Sequence, residues 1–176
     1  MENAIVLGRS ELFHGTKGAF FQLGMVCAAL ALPAVCHLTG APVTVLLPMH
    51  WPIIAAGLFC GWRAGLIAGA ASPLISFALS GMPPAGYLPL MTLELAVYGF
   101  AAGLAVERLR LKPVVAVLLS VIAGRAVLIA AAAVFVLPAA GVWPYFLSAL
   151  VPGLPAALAQ VALLPLVYGK HSKKSA

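Results

Sequence analysis

Six apolar runs dominate the chain, over residues 19–38, 46–61, 64–79, 88–106, 114–137 and 144–168. About 20 apolar residues in helical form cross the hydrocarbon core of a bilayer, and fewer serve where a segment is short or broken. The pattern predicts six transmembrane helices forming one integral membrane domain over 1–176. Pro73 marks an expected kink in the third segment, and Pro152, Pro155 and Pro165 disturb the sixth. Proline removes a backbone donor, and in lipid such breaks persist only where neighbours or a cavity satisfy the freed groups. The first run exceeds the roughly 7–15 residues of a signal-peptide core. Cys36 also follows Val35, where a lipoprotein signal wants Gly or Ala. We read this run as a retained helix.

The polar positions between the runs carry the topology. Arg9 and Lys17 precede the first segment, and Arg63 separates the second from the third. Arg108, Arg110 and Lys112 separate the fourth from the fifth, and Lys170, Lys173 and Lys174 follow the sixth. The connections 39–45, 80–87 and 138–143 contain no Lys or Arg. With six crossings, every basic flank falls on one side, which the positive-inside rule assigns to the cytoplasm. Five or seven crossings scatter the same charges over both sides. Both termini are therefore expected inside, in a bacterial cytoplasmic (inner) membrane. Trp51, Tyr87, Trp143 and Tyr145 fall near the outer ends of segments, as an interfacial aromatic belt requires. The outer connections are short and rich in Gly and Pro, and read equally as tight turns or as lids over an outward-opening pocket.

Composition agrees. The chain is 64% hydrophobic and only 8% charged, against roughly 25% charged in a soluble domain. Too few polar side chains exist to cover a water-facing surface, so the lipid bilayer is the solvent. The net charge of +6 forms no basic stripe and no aromatic platform, which argues against nucleic acid as a partner. Cys27, Cys36 and Cys60 make no CxxC pair and no zinc-type cluster. No metal site or cofactor is expected. HExxH, GxSxG and P-loop motifs are all missing from the sequence, so no catalytic residue is assigned and the chain is not read as an enzyme.

Ionisable groups inside a membrane are costly and mark functional candidates. The segments hold His50, Glu94 and Arg125, with Gln160 as a neutral polar position. At about 1.5 Å rise per residue, Glu94 lies roughly 9 Å below the outer end of its segment. His50 lies in the outer quarter, Arg125 near the middle of its segment, and Gln160 towards the inner side. His50, Glu94 and Arg125 are thus expected to converge in the outer half. Tyr98 shares a helix face with Glu94, and Ser72 shares one with Ser76. The candidate ligand-binding set is His50, Glu94, Tyr98, Arg125, Trp51 and Ser76. A Glu94–Arg125 ion pair that only fixes helix packing is the competing reading.

Small residues recur four apart: Gly24/Ala28, Cys27/Ala31, Gly57/Gly61, Gly65/Gly69 and Gly99/Gly103. Such spacing lets membrane helices approach closely or offers a smooth face to another subunit.

The stretch LPMHWPIIAAGLFCGWRAGLIAGAASPLISFALSGMPP at 47–84 resembles the substrate-binding S components of energy-coupling-factor (ECF) vitamin importers. LELAVYGFAAGL at 93–104 and Gly124-Arg125 extend the likeness. The resemblance implies an all-α, six-helix bundle with an outward-facing pocket for a small vitamin or vitamin precursor. It also implies as partners a membrane coupling protein and two cytoplasmic ATP-binding subunits. The family's first segment meets the coupling protein through an Ala-xxx-Ala pattern. This chain departs from that pattern, and Gly24, Cys27, Ala28 and Ala31 are the nearest equivalents. Two other functions fit the residues: a stand-alone proton-coupled secondary transporter using Glu94 and His50, or a non-transport membrane scaffold.

Overall fold

The computed structural model describes residues 15–135, 147–148 and 150–174. Among them lie seven helices: α1 (Gly15–Thr39), α2 (Val43–Leu46), α3 (His50–Cys60), α4 (Trp62–Ser80), α5 (Leu88–Glu107), α6 (Pro113–Phe135) and α7 (Leu154–Lys174). No strand occurs among the described residues. Five stretches are long and apolar enough to cross a membrane: Gly18–Thr39, Val43–Cys60, Trp62–Ser80, Leu88–Glu107 and Pro113–Val134. The last apolar helix, Leu154–Lys170, is shorter. The expected connection 138–143, with Trp143 and Tyr145, lies outside the described residues.

The second apolar run is not one helix. α2 ends where Leu47 enters the left-handed region, at φ 46° and ψ 53°, a costly conformation for a γ-branched residue. The Leu47 N–H still donates to the Val43 carbonyl, and the His50 N–H donates to the Leu47 carbonyl. The turn at Leu47–Met49 therefore delivers His50 as the first residue of α3. Proline behaves differently at each site. Pro73 stays inside α4 and Pro165 inside α7. Pro155 occupies the first turn of α7, where no backbone donor is needed.

Two of the Gly-xxx-Gly pairs, Gly65/Gly69 and Gly99/Gly103, do the close packing, together with Gly57. A Cβ on Gly65 would run into the Gly99 backbone, and one on Gly99 into Gly65. A Cβ on Gly57 would strike the Gly99 carbonyl, one on Gly69 the Leu95 carbonyl, and one on Gly103 the Trp62 backbone. Helices α3, α4 and α5 thus meet backbone to backbone around Gly99. Gly24 of α1 makes no such contact: nothing lies within 4 Å of a Cβ there.

The same end of the bundle carries the basic connections. Gly61, at φ 86°, turns the chain between α3 and α4. Glu107, at the end of α5, accepts a hydrogen bond from the Trp62 N–H at 3.1 Å and so caps α4. Phe59 stacks against Phe21 of α1 and Tyr168 of α7, with ring centroids 5.4 and 5.1 Å apart. Arg63, Arg108, Arg110, Lys112 and Lys170 all belong to this end, where α3, α5 and α7 finish and α4 and α6 begin.

Candidate functional site

The opposite end holds a cavity of about 840 Å³. Its wall is built from the last turns of α1 and α4, the Leu47–Met49 break, the 82–87 connection, the first turns of α5, and Arg125 of α6. Most of the lining is apolar, including Leu30, Leu47, Met49, Leu79 and Met91. Polar groups collect in two places: His37, Thr44, Ser76, Ser80 and Ser148 along the wall, and His50, Glu94 and Arg125 as a charged cluster. An irregular backbone such as Leu47–Met49 is tolerated at membrane depth where it lines a cavity.

Two members of the charged cluster are buried, and Arg125 is partly so. Glu94 is 1% exposed and His50 4%. Arg125 Nη1 lies 2.9 Å from Glu94 Oε1, an ion pair between α6 and α5. His50 Nε2 stands 3.6 Å from the same oxygen, beyond hydrogen-bond range. Both His50 nitrogens, Arg125 Nη2 and Glu94 Oε1 are buried without a hydrogen bond of good geometry among the described residues, although Glu94 Oε1 is ion-paired with Arg125. Buried polar groups are normally satisfied, so each of these is an unmet demand. Tyr98, fully buried, packs its ring edge-on against His50 at 4.9 Å between centroids. Its hydroxyl makes no hydrogen bond of good geometry among the described residues, yet lies near enough to Glu94 and Arg125 to feel both charges.

The structure therefore brings His50, Glu94 and Arg125 together and places Ser76 on the same cavity wall. Tyr98 backs His50 without lining the cavity. Trp51 does not line it either; its indole N–H donates to the Leu46 carbonyl at 3.0 Å, tying α3 to α2. Ser72 is fully buried and donates to the Ala68 carbonyl at 2.7 Å. Gln160 is fully buried in α7, outside the cavity wall, with neither amide atom hydrogen-bonded among the described residues.

Three features of the site carried little sequence signal. Gly153 precedes α7, and a Cβ there would lie 2.6 Å from Arg125 Nη2 and 3.0 Å from Leu47 Cδ1. Its missing side chain makes the room that Arg125 occupies, whereas in the sequence it is only a glycine between two prolines that disturb the sixth segment. Ser120 donates to the Tyr98 carbonyl at 2.9 Å, a buried α6–α5 bond. His37 reaches the cavity wall from the end of α1, a placement that only the packing of α1 settles.

A family model described as ECF transporter, substrate-specific component, matches residues 22–168. The chain belongs to this family. The match runs from within the first apolar segment to the end of the sixth and includes every residue of the cavity wall. No curated protein and no solved structure matches the chain. As an S component it is a membrane-embedded transporter subunit that binds substrate, and in its cavity wall both His50 nitrogens and Arg125 Nη2 lack a hydrogen-bond partner among the described residues.

Proposed function

We propose that this S component is the substrate-capture subunit of an ECF-type ABC importer in a bacterial cytoplasmic membrane. In this reading both termini and the basic connections are cytoplasmic, and the cavity opens to the outside. It takes up a small water-soluble vitamin or vitamin precursor through His50, Glu94, Arg125 and Ser76, with Tyr98 and Trp51 behind them. Energy comes from a membrane coupling protein and two ATP-binding subunits.

The observation that carries this reading is the buried His50–Glu94–Arg125 cluster, open to a cavity and short of hydrogen-bond partners. A pair serving packing alone has no reason to leave Arg125 Nη2 and both His50 nitrogens unmet inside a cavity wall. Two further facts support it. The cavity and the basic connections lie at opposite ends of the bundle, as an outward pocket and a cytoplasmic basic face require. In α1, Gly24, Cys27 and Ala31 are exposed, leaving a smooth face for the coupling protein. Nothing among the described residues favours proton-coupled transport or scaffolding over this reading.

The test is purification from the native host with a tag on this chain. A coupling protein and two ATP-binding subunits should co-purify, and mass spectrometry should find one small molecule in near-stoichiometric amount. His50→Ala should lose that molecule while keeping the partners. A wild-type preparation with neither partners nor small molecule would sink the proposal.

A further inference from the structure

The charge pattern in the cavity points beyond substrate binding in general to a class of substrate. Among the described residues the unmet atoms of the cluster are Arg125 Nη2, both His50 nitrogens, the Tyr98 hydroxyl and Glu94 Oε1, so a guanidinium edge and an imidazole N–H are on offer to a ligand. Glu94 Oε1 is shared between Arg125 Nη1 at 2.9 Å and His50 Nε2 at 3.6 Å. Among the described residues Arg125 Nη2 has no hydrogen-bond partner, and the His50 ring always carries at least one N–H with none. A guanidinium offers its N–H groups in a planar fork suited to carboxylate and phosphate oxygens. His50 is also the first residue of α3, an 11-residue helix, so the positive end of that helix dipole adjoins the cluster. Around these donors the wall is apolar, with Met49, Leu47 and Met91 among its residues.

We propose that the cavity selects a small organic anion. Its acidic oxygens take Arg125 Nη2 and the free N–H of His50, and its less polar body lies against Met49, Leu47 and Met91. Glu94 is a positioning residue: it holds Arg125 from the far side and keeps the guanidinium aimed at the ligand. Gly153 leaves the space for that pose. This inference rests on the cavity being the binding site, as proposed above.

The experiment uses the full chain in nanodiscs and a panel of 3-phenylpropanoate, 3-phenylpropanamide, 3-phenylpropylamine and 3-phenylpropyl phosphate. Binding is read by saturation-transfer NMR at millimolar ligand. Charge-assisted hydrogen bonds predict that the carboxylate or the phosphate binds roughly 10- to 100-fold tighter than the amide, with the amine weakest. Which anion leads tells a carboxylate substrate from a phosphorylated one. Arg125→Gln should erase the preference for anions over the amide, and Arg125→Lys should retain part of it. Since Arg125→Gln strands Glu94, the double variant Glu94→Gln/Arg125→Gln is measured beside it and should show the same loss while eluting as a single species. Glu94→Gln alone should weaken anion binding several-fold with the preference kept. Strongest binding by the amine, equal binding of all four, or an anion preference that survives Arg125→Gln would overturn the inference. Ser76→Trp, which fills the cavity, separates the two proposals. If it blocks an amine that binds best, the cavity reading stands and the anion inference fails. If it leaves all binding unchanged, or no panel member binds the wild type, both the site and its anion preference are rejected.

Discussion

The two ends of this bundle solve opposite packing problems. At the basic end, Gly57, Gly65, Gly99 and Gly103 bring α3, α4 and α5 into backbone contact, leaving no space for even a methyl group. At the other end the same helices carry His50, Met49, Ser76, Met91 and Glu94, and about 840 Å³ stays open among them. The difference is one of side-chain size. Glycine every four residues closes helices along one half, and larger or polar side chains hold them apart along the other. Lipid supplies no hydrophobic drive between helices, so the tight half provides the van der Waals contact that lets the open half stay open. Polar groups follow the same division. At the basic end the Glu107 carboxylate is used up in capping Trp62 and pairing with Arg108 at 3.8 Å. At the cavity end His50 and Arg125 keep donors to spare.

The largest effect expected from disturbing this division is at Arg125. Arg125→Ala leaves the Glu94 carboxylate buried without its counter-ion, and removing one partner of a buried pair costs about 3 kcal/mol or more. Thermal unfolding in detergent should show that loss, and adding Glu94→Gln should recover much of it. A stable single variant would mean that the pair is well hydrated from the cavity. Next is Gly99→Leu at the closed end. Its side chain meets the Gly65 backbone, which cannot move aside, so a loss of about 2–3 kcal/mol is expected. Gly24→Leu, on the open face of α1, should stay within about 0.5 kcal/mol of wild type in the same assay. Equal losses would show that α1 packs as tightly as the core helices.

Ser120 lies at the boundary between the two halves. Ser120→Ala leaves the buried Tyr98 carbonyl without that donor and should cost about 1 kcal/mol, together with a small loss of ligand affinity through the Tyr98–His50 contact. A stability loss with affinity untouched would assign Ser120 to the packing half. The smallest effect is expected from Glu107→Gln. Its side chain is 39% exposed and the amide still offers an oxygen to Trp62. Only the charge–dipole part is lost, about 0.3–1 kcal/mol at low ionic strength, and the difference should shrink as salt is added. Ligand affinity should not change. A change would couple the two ends.

Much of this was legible along the chain because membrane constraints are one-dimensional. Apolar runs gave the helices, since a lipid-facing segment must be apolar over a set length. Glu94, His50 and Arg125 were conspicuous because a charge inside such a run is rare and costly. The Gly-xxx-Gly spacing pointed to close contacts, but not to which pairs make them: Gly65/Gly69 and Gly99/Gly103 do, and Gly24/Ala28 does not. The break at Leu47–Met49 was hidden because every residue there suits an apolar helix. Trp51 and Tyr98, grouped with the ligand-binding candidates, take places behind the wall, since helix face alone does not say which neighbour a face meets.

The sequence by itself determined the solvent, the helical class, the segregation of basic connections and the short list of membrane-embedded polar groups. All of these follow from composition and spacing, which a linear chain displays in full. Tertiary structure alone decided that one carboxylate oxygen of Glu94 serves Arg125 while His50 stops short of it. It also decided that Gly153 yields its space to a guanidinium, and that the spare donors face a cavity rather than a neighbour. Those are distances between helices far apart in sequence, and no local rule along the chain encodes them.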